Sequence, residues 1–196
     1  FKASNAPCSM ETQDYEGITG AFREDVRHAP DDVYLDGYWQ SHRYFDDVKQ
    51  AIRQDFAFQH ELPPKAQDVS HAISGCNSVC LHVRRADFVN CPLMGTSSTE
   101  YYFNAMAQVR SMASDLRFFV FTDDIEWCRR AFASVDSVVH VGDTLSDLPA
   151  WCHLDLMSRC RHFIISNSTF AWWAAWLSTN PGKTVCAPQC WFSDAS

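Results

Sequence analysis

From Val79 to Ala187 the chain alternates short apolar runs with amphipathic stretches, and few folds absorb that alternation. Val79-Cys80-Leu81-His82-Val83 reads as a strand, and Tyr102, Met106, Val109 and Met112 then fall on one helix face. Phe118-Phe119-Val120-Phe121 is a second strand, followed by a helix carrying Trp127, Ala131 and Phe132. Val138-Val139-His140-Val141 is a third, and Leu154, Met157 and Cys160 mark the helix after it. His162-Phe163-Ile164-Ile165 is a fourth, before a helix with Phe170, Trp173, Ala174 and Leu177 that Pro181-Gly182 stops. Thr184-Val185-Cys186-Ala187 is a fifth. Apolar runs of this kind separated by helices imply an α/β fold: a Rossmann-like, mainly parallel sheet with helices on both faces. Ligands of such sheets bind beyond the carboxyl ends of the strands, so the loops after the strands are where chemistry is sought.

Upstream the pattern differs. The first thirty residues have little periodicity and read as an irregular lead-in. Val33 to Trp39 is a short, aromatic, strand-like piece, and Phe45, Val48, Ile52 and Phe56 then share a helix face. Pro63-Pro64 ends that unit and opens a polar connection to about Gly75, the best place for a domain boundary. At 196 residues the chain holds one well-packed domain, or one domain with part of another.

The formal net charge of -8 argues against a nucleic-acid partner, which wants a basic face. No apolar stretch reaches the ~18 residues that a membrane-spanning helix needs, and the first residues lack the apolar core of a signal peptide. The chain begins with Phe1 rather than Met, as a fragment would. Its nine cysteines are an odd number without the spacing of a disulfide framework, which points to structural thiols and a reducing compartment. Cys76, Cys80 and His82 do not make a zinc site, because four residues along a strand span roughly 13 Å. Neither Gly-x-Gly-x-x-Gly nor a Walker-type loop is present, so dinucleotide and P-loop readings lose their key parts.

Three loops after strands are rich in polar groups. Arg84-Arg85-Ala86-Asp87 follows the first strand. Adjacent arginines at a strand end point in different directions, so one at most faces a site unless the chain turns there. A guanidinium fork suits phosphate oxygens and keeps its charge, and Asp87 can orient an arginine or accept a proton. Taken alone, the run reads first as a surface ion pair. Thr122-Asp123-Asp124 follows the second strand, where one carboxylate serves by default as a helix cap and the pair is also suited to a divalent metal on a diphosphate. Ser166-Asn167-Ser168-Thr169 lies between a strand and a helix, either a plain N-cap or an anion site made from helix-start N–H groups and hydroxyls. The Asn167-Ser168-Thr169 sequon sits where burial disfavours glycosylation. Trp172, Trp173 and Trp176, at helical spacing, read as core rather than as a sugar platform.

Taken together, these blocks resemble a known family. His82-Val83-Arg84-Arg85-Ala86-Asp87-Phe88 resembles the His-x-Arg-Arg-Gly-Asp-Tyr signature of the α-1,2-fucosyltransferases, glycosyltransferase family 11. Phe119 to Trp127 is similar to the family's second block, and Asp155 to His162, running into Ile164 to Trp173, to its third. Tyr34 to Ser41 also matches a family segment, so the blocks run in order from about Val33 to Phe192.

The resemblance implies a GT-B-like fold, with residues 1–74 the remainder of an N-terminal, acceptor-side region and residues 75–196 a Rossmann-like domain for GDP-fucose. It implies inverting transfer of L-fucose from GDP-β-L-fucose to a galactose 2-hydroxyl of a glycan acceptor, without metal or other cofactor. By similarity to the wider fucosyltransferase group, Arg84 holds the β-phosphate, His82 and Asp155 lie near guanine, and Ser168 and Thr169 near the phosphates. Arg85, Asp124 and Asn167 complete the expected donor set, and Asp87 is the candidate base beside Arg84. The expected partners are GDP-fucose and a galactose-terminated glycan, and the expected location is the cytoplasm or the periphery of a membrane. Two departures stand out. Ala86 replaces the family's Gly, and the N-terminal Gly-Gly-Leu-Gly-Asn-Gln-Met-Phe block and usual C-terminal tail are not in this sequence. The alternative expectation is therefore a nucleotide-sugar-binding module without catalysis.

Overall fold

In a computed structural model, which describes residues 9–11, 22–36 and 39–192, the chain divides between Ala57 and Phe58. That division lies upstream of the boundary expected at residue 74, and the helix over Pro64–Ser74 falls within the second unit.

In the first unit, β1 (Ser9–Glu11) pairs in parallel with β2 (Tyr34–Asp36), Ser9 lying opposite Tyr34. The supposedly irregular lead-in thus contains a strand, one too short to show any period. Gly37 and Tyr38, in the strand-like piece expected up to Trp39, lie outside the described residues. Helix α1 spans only Lys49–Asp55, after two 3-10 turns at His42–Tyr44 and Asp46–Val48. Of the apolar face expected there, only Ile52 lies within α1, while Val48 and Phe56 are exposed. Tyr44 organises the described part of this unit. Its hydroxyl accepts from the Arg23 N–H at 2.8 Å, and its ring lies 4.7 Å from Phe22 and 5.8 Å from Trp39.

The second unit opens with α2 (Pro64–Ser74), started by a proline whose missing N–H costs nothing at a helix start. It buries Ala66, Ser70 and Ile73, a face with too few apolar residues to show in the sequence. Then follow β3 (Asn77–Val83), α3 (Thr99–Met112), β4 (Leu116–Thr122), α4 (Ile125–Ala131) and β5 (Val138–His140). The chain returns through α5 (Gly142–Leu145) and α6 (Ala150–Ser158) to β6 (His162–Ile164), α7 (Thr169–Leu177) and β7 (Val185–Cys186). All five strands predicted from the apolar runs are present, and every neighbouring pair is parallel, in the order β5-β4-β3-β6-β7.

Alternation along the strands divides the core between two faces. Val79, Leu81, Val83, Phe118 and Val120 pack with Tyr102, Met106 and Val109 of α3. Cys80, Phe119, Phe121 and Phe163 pack on the other face with Ile73, Leu156, Met157, Ala171 and Ala174. Each fully buried phenylalanine contributes about 1.5–3 kcal/mol. The succession of strands reverses direction at the β3–β6 pair: one crossover series runs outward through β4, the other through β7. A crevice opens at the carboxyl ends of strands where such a reversal occurs. The described cysteines, Cys76 to Cys190, are all free thiols, and no described helix is long and apolar enough to cross a membrane.

Candidate functional site

The register of β3 against β4 places Val83 opposite Thr122, so Arg84-Arg85 and Asp123-Asp124 leave the sheet side by side. Asp123 accepts from the backbone N–H of Arg85 at 2.9 Å and of Ala86 at 3.2 Å, and its carboxylate also takes Arg84 Nη1 at 3.1 Å. Arg84 Nη2 lies 2.9 Å from Asp87. Arg85 turns elsewhere: its Nε donates to Asp124 at 3.2 Å, and its guanidinium lies 4.4 Å above the Trp127 ring. Asp124 also caps α4, accepting from the Trp127 N–H at 3.1 Å. The two arginines therefore diverge. Arg85 is spent within the fold, with 18% of its side chain exposed, and Arg84, at 38%, remains at the surface.

On the other side of β3, His82 lies buried with Nδ1 2.9 Å from Ser166 Oγ, which joins the ends of β3 and β6 at the reversal point. Its ring centroid is 6.4 Å from that of Phe170 in the first turn of α7. Burial, and secondarily the nearby charge of Arg84, pushes the imidazole down to about 3, so it is neutral at ordinary pH. The N-cap of α7 is Ser168, whose side chain makes no capping bond, whereas Asp124 caps α4 and Ser98 caps α3. The first-turn N–H groups of α7 thus lack a side-chain cap. Ser168 is buried at this turn and Thr169 is exposed. Tyr101 reaches from α3 to donate to Ile165 O at 2.6 Å, with Cys186 O 3.2 Å away, holding the ends of β6 and β7.

Asn167 is buried and does something the sequence did not suggest. Its amide donates to Met94 O at 2.7 Å and to Trp191 O at 3.0 Å, clamping the loop after Arg84 and the segment after β7 onto the start of α7. Its Oδ1 is buried without a partner.

Asp155 has a local partner. It is buried in a bidentate pair with Arg159, at 2.6 and 2.9 Å, and Arg159 also donates to Ser70 Oγ at 3.1 Å. Arg161, two residues beyond Arg159, donates its N–H to Ser78 O near the start of β3, the opposite edge from His82. From α6, His153 meets the ring of Phe121 edge-on at 6.5 Å. Phe121 lies opposite His82 in the sheet. The structure thus joins His82 to Ser166 and Arg84 to Asp123, sets Ser168 and Thr169 at the start of α7, and pairs Asp155 with Arg159. Among the described residues, no three His, Cys, Asp or Glu side chains are grouped as a metal ion would need.

A family model for glycosyl transferase family 11 matches residues 8–195. The chain belongs to this family. Its relatives include an alpha-1,2-colitosyltransferase of Escherichia coli, 34% identical over 164 residues that make up 80% of this chain and 55% of the relative. Galactoside 2-alpha-L-fucosyltransferase SEC1 of Bos taurus is 30% identical over 90% of this chain and 50% of its own length. The chain spans about half the length of these relatives. Among solved structures, POFUT1 in complex with GDP superposes with a TM-score of 0.50 at 13% identity, over 81% of this chain and 55% of that one. At that identity the likeness concerns the fold, and it agrees with the Rossmann-like sheet expected from the strand pattern and with the GT-B-like fold that the resemblance implied.

Proposed function

We propose that this family 11 glycosyltransferase chain forms the donor side of an inverting α-1,2-fucosyltransferase, holding GDP-β-L-fucose for transfer to a galactose 2-hydroxyl of a glycan. The observation that carries the reading is the joined pair of strand ends at the reversal point. Surface-facing Arg84 lies on one side of buried, neutral His82, and the uncapped start of α7 lies on the other. A guanidinium fork and free helix-start N–H groups are what a diphosphate requires. The named activities of the relatives, and the GDP-fucose bound in a POFUT1 structure, support the same donor.

In this mechanism the bond from the anomeric carbon to the diphosphate breaks as the acceptor oxygen attacks from the opposite face. Charge develops on the leaving GDP, and Arg84 with the N–H groups of Thr169, Phe170 and Ala171 stabilises it. The acceptor hydroxyl proton goes to a carboxylate, for which Asp87 is the proposal: it is 60% exposed and pairs with Arg84. No metal takes part. The carboxylates of Asp123 and Asp124 are already held by N–H groups and guanidinium, in keeping with that reading.

The deciding experiment is transfer by the complete gene product from GDP-fucose to a galactose-terminated acceptor in the presence of EDTA, with the linkage read by NMR. UDP- and ADP-sugars serve as competitors. Loss of transfer in EDTA would sink the metal-free mechanism, and binding of GDP without turnover would leave a nucleotide-sugar-binding module. Asp87→Asn should cut transfer about 100-fold or more while GDP still binds; near-normal transfer removes Asp87 as the base. One finding favours a second donor: the 34% identical relative is named for colitosyl transfer, so a colitosyl donor belongs in the same assay.

A further inference from the structure

We propose that Asp123 is a positioning residue that sets the Arg84 turn for phosphate, an inference that rests on the donor-site reading above. Three carboxylates surround the two arginines, and they do different work. Asp87 touches the Arg84 guanidinium alone, at 2.9 Å, and is largely exposed. Asp124 is divided between the cap of α4 and Arg85 Nε. Asp123, 20% exposed, holds both the backbone of the turn and the arginine that leaves it.

Successive backbone N–H groups that converge at a turn form a small anion pocket. At Arg85 and Ala86 that pocket is filled from within the protein, by a carboxylate that the β3–β4 register delivers from the next strand. The same carboxylate grips Nη1 of Arg84, while the outer Nη2 rests on Asp87. A diphosphate can therefore take Nη2 from Asp87, an exposed and weakly held partner, while Asp123 keeps the guanidinium aimed. Asp87 holds Nη2 until a phosphate takes it over, and Asp123 fixes where that exchange happens.

Charge alone predicts the opposite sign. Removing a carboxylate beside an anion site should tighten an anion, whereas removing the residue that aims the arginine should loosen it. Asp123→Asn is close in shape, but its Nδ2 meets a backbone N–H donor head-on. The test is calorimetry on wild type and Asp123→Asn with GDP and with guanosine, which lacks the phosphates. The expected result is GDP binding weakened about tenfold or more with guanosine binding unchanged. Unchanged or tighter GDP binding overturns the proposal. So does an equal loss for both ligands, which marks general loosening of the domain. If Asp123→Asn does not fold, Asp123→Glu keeps the charge, moves the carboxylate one methylene outward, and carries the same expectation. Wild type that binds no GDP brings down the donor-site reading itself, and this inference with it.

Discussion

The two neighbours of β3 finish it in opposite ways. On the β4 side the strand ends carry Arg84, Arg85, Asp123 and Asp124, an ion-pair network in which Arg84 remains 38% exposed. On the β6 side His82, Ser166 and Asn167 are buried and uncharged, His82 tied to Ser166 and Asn167 to main-chain carbonyls. Pairs at partly exposed positions are worth little to the fold and exchange partners readily, which suits a surface that must accept an anion. Buried neutral hydrogen bonds are costly to break and hold a geometry. The β4 side is where a ligand is gripped, and the β6 side is the frame against which it is gripped.

The largest effect expected from this contrast separates the two arginines. Arg84→Ala should weaken GDP binding about 100-fold, because truncating the charged partner of a desolvated anion costs roughly 2–5 kcal/mol and partial exposure places it at the low end. Arg85→Ala, whose guanidinium is committed to Asp124 and Trp127, should weaken GDP binding less than about tenfold. Equal losses, measured by calorimetry, would erase the distinction between the gripping and the structural arginine.

That distinction shows where sequence reading stops. The strands were legible because each is an apolar run between helical periods, and their parallel sense followed from the helices between them. The run of residues alone left open which of two adjacent arginines faces outward, and only the resemblance pointed to Arg84; the physical reason lies in the β3–β4 register that brings Asp123 beside the turn. Asn167 shows the same limit, with hydrogen-bond partners 73 and 24 residues away. Asp155 is the reverse case. Its partner Arg159 is one helical turn on, an i,i+4 pair visible in the sequence. Three-residue β1 and the sparse buried face of α2 were too short or too polar for any period to emerge.

The β6 side should reveal its burial through pH. Unfolded His82 titrates near the ordinary histidine value of about 6.5. The folded imidazole, held down to about 3, binds fewer protons in between. Stability from this residue is therefore complete above the unfolded value and is lost as pH falls toward the folded one, by a few kcal/mol in all. Denaturant midpoints from pH 7 to 4 should fall more steeply for wild type than for His82→Gln, which cannot titrate there. Parallel slopes would show that His82 is not held neutral by burial.

Asn167 tests the frame more gently. Asn167→Ala leaves Met94 O and Trp191 O without their shared donor, at a cost of about 1–3 kcal/mol. The substitution also removes the unpaired buried Oδ1, which offsets part of that loss. Limited proteolysis should find new cleavage around Met94 and Trp191 before any elsewhere in the second unit. A midpoint shift without new cleavage would mean that Asn167 stabilises α7 and clamps nothing.

The smallest effect on stability and on GDP binding belongs to Asp87, however much transfer it costs, and its smallness is the point. The carboxylate is 60% exposed and pairs with a guanidinium that Asp123 already holds, so Asp87→Asn should move the denaturant midpoint by less than about 0.5 kcal/mol. GDP binding in that variant should persist and rise slightly at low salt, since Nη2 of Arg84 no longer has a competing anion, and the gain should fade as salt screens the site. A large loss of stability would place Asp87 in the frame with His82 and Asn167. The line between a rigid β6 side and an exchangeable β4 side would then have to be redrawn through the Arg84 turn itself.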